Sequence, residues 1–281
     1  MSAAAGGCKL NVILDIDETF VYFIKKRYFE HSWDTISDAE KAKYKVHEHK
    51  DGIFIERPHL ETFLDYLFEN CTVSVWTWSD ADYAKGVANR FLIRGREDRK
   101  IEHIFSEEHA EASSALHGNS KDLNYLWYEP KRLPCFAECN TVLIDDLPGN
   151  SVNTSNMRNS ITIKPFALFG EVKDRSDRYE DVSGDTSLLT AIEILKKAKT
   201  LASSCYGDGD RRWTNIFDEA NLREAGLETY LTTVTRKNGT TVRAIGAGNA
   251  TATGGSRRSR SRRMKRRSYR NKGTRRFRRR N

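Results

Sequence analysis

Val12-Ile13-Leu14-Asp15-Ile16-Asp17-Glu18-Thr19 is an apolar run that ends in two carboxylates two residues apart. A run without polar alternation suits a parallel strand buried on both faces, and such sheets bind ligands beyond the carboxyl ends of their strands. Asp15 and Asp17 stand at such an end. Strand side chains at i and i+2 point the same way, so the pair can share one ligand. Two carboxylates aimed at one spot repel unless a cation lies between them, and Mg2+ is the hard cation that takes one or two carboxylates together with a substrate phosphate. Taken alone, the pair could equally close a strand and cap the next turn, because short acidic motifs recur by chance.

Two further runs end in the same way. Cys71-Thr72-Val73-Ser74-Val75-Trp76-Thr77-Trp78-Ser79-Asp80 is β-prone and stops at hydroxyl residues before a helical segment, which makes Thr77 the natural phosphate contact. Thr141-Val142-Leu143-Ile144-Asp145-Asp146 ends in adjacent carboxylates, followed by a turn signal at Pro148-Gly149. Between these runs Lys121, in Ser120-Lys121-Asp122-Leu123, opens a helical stretch and supplies the one cationic group the site lacks. The expected class is α/β, a three-layer Rossmann-like parallel sheet.

The order Asp-x-Asp-x-Thr, Thr, Lys, Asp-Asp resembles the haloacid dehalogenase superfamily of phosphotransferases. Within it the likeness is to the Fcp1 and small C-terminal-domain phosphatase group, the NLI-interacting-factor-like family, which dephosphorylates the tail of RNA polymerase II. The signs are Asp15-Ile16-Asp17-Glu18-Thr19-Phe20-Val21, Glu56-Arg57-Pro58-His59-Leu60, Trp76-Thr77 with Tyr83-Ala84, Lys121-Asp122-Leu123 and Ile144-Asp145-Asp146. They span roughly residues 8 to 200, and Arg57-Pro58-His59 narrows the match most.

The resemblance implies a two-step hydrolysis. Asp15 would attack phosphorus and form an aspartyl-phosphate, and Asp17 would protonate the leaving oxygen and later deprotonate water. Thr77 would bond a phosphoryl oxygen, Lys121 would neutralise charge, and Thr19 and Arg57 would contact substrate. Mg2+ would lie between Asp15, the main-chain carbonyl of Asp17 and Asp146, with Asp145 behind them as a partner for Lys121. The Asp145-Asp146 pair is closer to the larger Fcp1 enzymes than to the small ones, which usually carry Asn at the second position. Many superfamily members cover their site with a cap domain. Residues 20 to 56 form too short an insertion for one, with a hairpin signal at Lys50-Asp51-Gly52-Ile53. From Thr77 to Lys121 the chain reads as helix over about 80–94, a β-like piece over 101–106 and a polar segment to Ser120. An open site favours phosphate carried on a protein or a nucleic acid.

Composition bounds the rest. No stretch of the 281 residues approaches the roughly 20 apolar residues of a membrane span, and the first residues lack a signal or transit character. Five cysteines are an odd count that suits a reducing compartment, nuclear or cytoplasmic, with the thiols free. Cys135 and Cys139 could be zinc ligands with His117 or His103, but buried free cysteine is the commoner state. No phosphate loop, dinucleotide fingerprint or calcium loop is present.

The domain is set at residues 8–200. Residues 201–245 form an extension with a helix near 215–225 and a hairpin around Lys237-Asn238-Gly239-Thr240, and residues 246–255 form a small-residue linker. From 256 to 281 there are 15 Lys or Arg and no acidic residue. Subtracting them from the formal +8 leaves residues 1–255 at −7, so the basic character belongs to the tail. Such a tail is expected to be disordered in isolation and to bind polyanions, DNA, RNA or a phosphorylated protein, or to serve as a nuclear address. Arg-Ser tails after Gly-rich linkers occur in chromatin proteins and in proteins of large DNA viruses that act in the host cell. Three functions follow: a Mg2+-dependent phosphoserine or phosphothreonine protein phosphatase, a nucleic-acid 3′-phosphatase, or a non-catalytic binding module on the same fold.

Overall fold

Every residue of β1 (Leu10–Leu14) is buried, as the unbroken apolar run requires. The computed structural model describes residues 9–128, 133–152, 155–169, 179–203, 215–235 and 240–248. In it β1 pairs in parallel with β5 (Cys71–Trp76) on one side and β7 (Thr141–Asp145) on the other. β6 (Ile101–Phe105) and β8 (Ser160–Ile163) continue the parallel order outward. β10 (Thr241–Ala247) is parallel to β8, and β9 (Leu231–Thr235) closes that edge antiparallel to β10.

Alternate side chains of the central strands serve two separate cores. Val12 and Leu14 pack with Phe63, Leu64 and Leu67 of α2 (Leu60–Asn70), Ala84 of α3 (Ala81–Val87) and Leu188, Ile192 and Leu195 of α7 (Ser187–Ser203). Ile13 and Leu143 pack on the opposite face with Trp76, Phe105 and Leu126 of α5 (Asn124–Trp127). The result is the three-layer arrangement anticipated from the strand endings. Trp76, directly before Thr77, is core.

The insertion after Thr19 is a three-stranded antiparallel sheet, β2 (Val21–Lys25), β4 (Gly52–Glu56) and β3 (Val46–His49), with the one-turn helix α1 (Asp38–Lys41). Lys50-Asp51 makes the expected turn. A Cβ on Gly52 would lie 2.1 Å from the Ile24 carbonyl oxygen, which explains the glycine. Ile24, Ile53 and Ile55 pack on Phe166, Leu168 and Val182, so the insertion rests on the stretch between β8 and α7.

Four expectations need amending. The polar segment before Ser120 contains a helix, α4 (Glu107–His117). It carries no apolar stripe, and its ends are set by the reciprocal Ser106–His109 capping bonds and by Gly118 at φ 73°. Residues after 200 are not separate from the domain: Phe217 and Leu222 of the segment around α8 (Glu219–Glu224) join the main core, and β10 extends the main sheet. Gly246 and Ala247, read as linker, are strand residues opposite Thr162 and Ile163. Cys135 and Cys139 are disulfide-bonded, so neither is a free thiol or a zinc ligand, whereas Cys71 is a buried free thiol. The turn at 236–239, the linker from 249 and the basic tail lie outside the described residues.

Arg57 ties these parts together. Its guanidinium bonds both carboxylate oxygens of Asp185 at 3.2 and 2.9 Å, the Thr19 carbonyl at 2.8 Å and the Lys164 carbonyl at 2.7 Å, and it is 1% exposed. Asp185 also accepts from the Ser187 amide at 2.8 Å at the start of α7. One side chain thus joins the motif loop, the end of the insertion, the exit of β8 and a core helix. Removing it strands a half-buried carboxylate and two carbonyls. Arg57→Ala is therefore expected to lower the unfolding free energy by about 3–5 kcal/mol in urea titrations, and a loss below about 1 kcal/mol would refute this structural role.

Candidate active site

The carboxyl ends of β1, β5 and β7 converge, and the loops that follow them carry the predicted residues. Asp15 continues the ladder beyond β1, its amide donating to the Ile144 carbonyl at 2.9 Å, which sets it level with Asp145 on the next strand. The chain then turns sharply. Glu18 adopts φ 62°, and its amide and carbonyl bond Val21 and Phe166. This turn brings the Thr19 hydroxyl to 3.4 Å from Asp146 Oδ1. Thr19 is thereby buried beside Asp146, and Arg57 spends its guanidinium within the scaffold; both were expected to contact substrate.

Lys121 lies at the centre. Its ammonium donates to Asp15 Oδ1 at 2.6 Å and to Asp145 Oδ2 at 2.7 Å, with the side chain 1% exposed. Burial alone would favour its neutral form, but Asp145 and Asp15 outweigh this and hold the ammonium charged. Behind it Asn156 donates to the Lys121 carbonyl at 2.5 Å and to the Asn150 carbonyl at 2.8 Å. Asn150 in turn donates to both oxygens of Asp145, at 3.2 and 3.1 Å. The Leu147 amide adds a bond to Asp145 Oδ1 at 2.8 Å.

The side chains of Asp15 and Asp17 part company instead of sharing one ligand, because β1 ends before them and strand alternation no longer applies. Asp17 turns toward α3, where it accepts from the Tyr83 hydroxyl at 2.5 Å and from Ser79 Oγ at 3.4 Å. Burial raises its pKa, and the Tyr83 bond opposes that shift. Thr77, directly after β5, is buried, and its Oγ1 accepts from the Ser79 amide at 3.1 Å. A hydroxyl that already accepts keeps its own proton for another acceptor. Tyr83, Ser79, Asn150 and Asn156 had no role from sequence. Tyr83 alone carried a signal, as part of the quoted motif.

Of the adjacent carboxylates after β7 one is satisfied and the other is not. Asp145 receives Lys121, Asn150 and a backbone amide. Among the described residues Asp146 receives only the long bond from Thr19, and it is 3% exposed; burial first, then Asp15 and Asp145, push its pKa well above the usual carboxylate range. Burial likewise pushes Asp15 up to about 7 against the pull of Lys121. Carboxylate oxygens of Asp15, Asp145 and Asp146 lie within 4.8 Å of one another. This oxygen-only set, with Asp146 uncompensated, fits a hard divalent cation. Asp145, already saturated, is the member that needs it least.

A family model described as NLI interacting factor-like phosphatase matches residues 10–204. The chain belongs to that family. This phosphatase is 32% identical over 161 residues to the CTD phosphatase-like protein 355R of Invertebrate iridescent virus 6, covering 56% of this chain and 85% of the viral one. It is 31% identical over 201 residues to the 355R protein of Invertebrate iridescent virus 3, covering 68% and 94%. Among solved structures it is similar to Fcp1, an essential RNA polymerase II CTD phosphatase, at 20% identity and a TM-score of 0.41; the match covers 78% of this phosphatase and 60% of that chain. Among its described residues no helix is long and apolar enough to cross a membrane.

The cation reading makes a sign-definite prediction. Asp15 and Asp146 hold protons more tightly folded than at their ordinary value of 3.8, so without a cation stability is fullest below about pH 4 and is lost as pH rises toward about 7. Bound cation relieves this loss. Millimolar Mg2+ is expected to raise the melting temperature more at pH 8 than at pH 5, read by scanning fluorimetry. An equal shift at both pH values would overturn the site.

Proposed function

We propose that this phosphatase is a Mg2+-dependent phosphoserine or phosphothreonine protein phosphatase that works through an aspartyl-phosphate on Asp15. The observation that carries the reading is the Lys121 ammonium bonded to Asp15 Oδ1, which leaves Oδ2 for attack beside the uncompensated Asp146. The substrate we infer is the C-terminal domain of RNA polymerase II or another nuclear phosphoprotein. The names of the two viral relatives and the small insertion over the site support it.

In the first step Asp15 Oδ2 bonds to phosphorus as the bond to the serine or threonine oxygen breaks. Asp17, whose pKa burial raises, gives its proton to that leaving oxygen. In the second step the Asp17 carboxylate takes a proton from water, the water oxygen bonds to phosphorus, and the bond to Asp15 breaks to release phosphate. Thr77 donates to a phosphoryl oxygen, oriented by the Ser79 amide. Lys121 offsets the negative charge that Asp15 and the phosphoryl group bring together. Mg2+ held by Asp15 and Asp146, with the Asp17 carbonyl, would polarise the phosphoryl oxygens and fix their position.

A nucleic-acid 3′-phosphatase is the second reading, favoured by the 15 basic residues of the tail. Phosphate release by the full chain from a phosphoserine heptad-repeat peptide and from a 3′-phosphorylated oligonucleotide, with and without Mg2+, separates the two. Mg2+-dependent turnover of the peptide, abolished in Asp15→Asn, is expected. Turnover of the oligonucleotide alone would move the enzyme to nucleic-acid ends, and turnover of neither would leave a binding module. Tyr83→Phe deletes a bond that favours the Asp17 carboxylate, so the pKa of this acid should rise. The alkaline limb of kcat/KM is expected to move up by about one to two pH units, as a bond to a charged group of about 1.5–3 kcal/mol implies. A limb that stays put would remove Asp17 from the acid role.

A further inference from the structure

Trp78 stands between two hydroxyl residues of the reaction centre and has no place in the core. Thr77 before it is buried, and Ser79 after it bonds Asp17 Oδ2 at 3.4 Å while its amide holds Thr77 Oγ1 at 3.1 Å. Trp78 itself is half-buried. Among the described residues it belongs to none of the hydrophobic clusters, stacks on no aromatic ring and lies under no lysine or arginine. The other described tryptophans are all engaged: Trp76 and Trp127 sit in one core, and Trp33 packs on another with the Lys41 ammonium 5.7 Å from its ring. An uncovered indole beside the phosphate contact offers a π face to whatever enters with the phosphate.

The charges around Trp78 decide what that is. The Ser79 carbonyl accepts from the Glu107 amide at 2.9 Å, so the exit of β5 touches the start of α4. Residues 77–88 and 106–117 hold Asp80, Asp82, Glu107, Glu108 and Glu111 against a single cation, Lys85. Among the described residues none of these acids is in an ion pair, and all but Glu107 are exposed. The amino ends of α3 and α4 each offset about half a charge, which with Lys85 leaves an excess of about three negative charges. A phosphorylated side chain meets repulsion on this side of the site unless it brings a cation with it.

We propose that Trp78 is a specificity-determining residue of this phosphatase, and that it selects a phosphoserine or phosphothreonine whose neighbour in the chain is arginine or lysine. The proposal rests on the protein phosphatase reading and adds to it the chemistry of the flanking residue. The neighbour's cation lies on the indole face while Thr77 holds the phosphoryl group. Adjacent residues of a peptide are about 3.8 Å apart, so the side chain next to the phosphorylated one starts a single step from Thr77, where Trp78 stands. Arginine suits the place best, because its planar guanidinium stacks on an aromatic ring and keeps donors free for carboxylates. A neutral apolar neighbour would cover the ring and leave the acids around it unmatched.

The test uses the full chain and three peptides with one phosphoserine, flanked on both sides by arginine, by proline or by citrulline, which keeps the planar shape of arginine without its charge. Each variant is compared with itself across the peptides, so a general loss of activity cancels. The unaltered chain is expected to favour the arginine peptide over the citrulline peptide by about fivefold or more in kcat/KM, carried by KM. In Trp78→Leu that ratio should fall below about twofold, and Trp78→Phe, which keeps a π face, should restore part of it. No preference for arginine, or one undiminished in Trp78→Leu, would overturn the proposal. A preference for the proline peptide that is lost in Trp78→Leu would give the ring an apolar occupant and overturn the cation. Asp15→Asn, alone and combined with Trp78→Leu, supplies a reading free of turnover, by fluorescence anisotropy of the labelled peptides. An arginine preference in affinity that depends on Trp78 supports the assignment even where the unaltered chain releases no phosphate, an outcome that sinks the phosphatase reading alone; equal affinities overturn the assignment.

Discussion

The Lys121 ammonium makes this site possible. Three strands deliver Asp15, Asp17, Asp145 and Asp146 to one end of a parallel sheet, and carboxylates gathered out of water repel. Lys121 bonds two of them, and Asn150 and the Leu147 amide complete Asp145. Tyr83 and Ser79 draw Asp17 away toward α3. What is left over is Asp146, which among the described residues receives only the long bond from Thr19. Structural and catalytic demands are thus divided among neighbouring acids: Asp145 keeps the lysine in place, Asp146 remains available, and Asp15 faces both.

Arg57 performs a parallel service for the scaffold. The loop bearing Asp17 and Thr19 is irregular, and the insertion packs on the stretch between β8 and α7 through Ile24, Ile53 and Ile55. By bonding the Thr19 carbonyl, the Lys164 carbonyl and Asp185 together, the guanidinium makes the loop continuous with β8 and α7. A buried arginine suits the task because its planar fork satisfies a carboxylate bidentately and still has donors for carbonyls.

Much of this was legible in the residues because the central strands are buried on both faces. Unbroken apolar runs show where β1, β5 and β7 lie, and abrupt polar endings show which side chains stand at the site. Asp15, Thr77 and Asp146 stand out for that reason. Partners separated along the chain leave no such trace: Arg57 finds Asp185 across 128 positions, and Tyr83 finds Asp17 across 66. The pattern of Tyr230 to Ala244 reveals a hairpin but not the sheet it joins, since period-two alternation is the same in either. α4 escaped notice because its ends are capped while its middle lacks an apolar stripe.

The place of β10 also has a consequence for how the protein is made. Its partner β8 is finished at Ile163, yet the strand that covers its outer edge begins only at Thr241. While the intervening residues are synthesised, a strand that ends up buried presents open hydrogen-bonding groups, the condition under which nascent chains pair with the wrong neighbour. Assembly of the central strands can precede that closure, because β1, β5, β7 and β8 are complete well before it. The order of synthesis therefore sets the central strands first and covers the edge most prone to misassembly last.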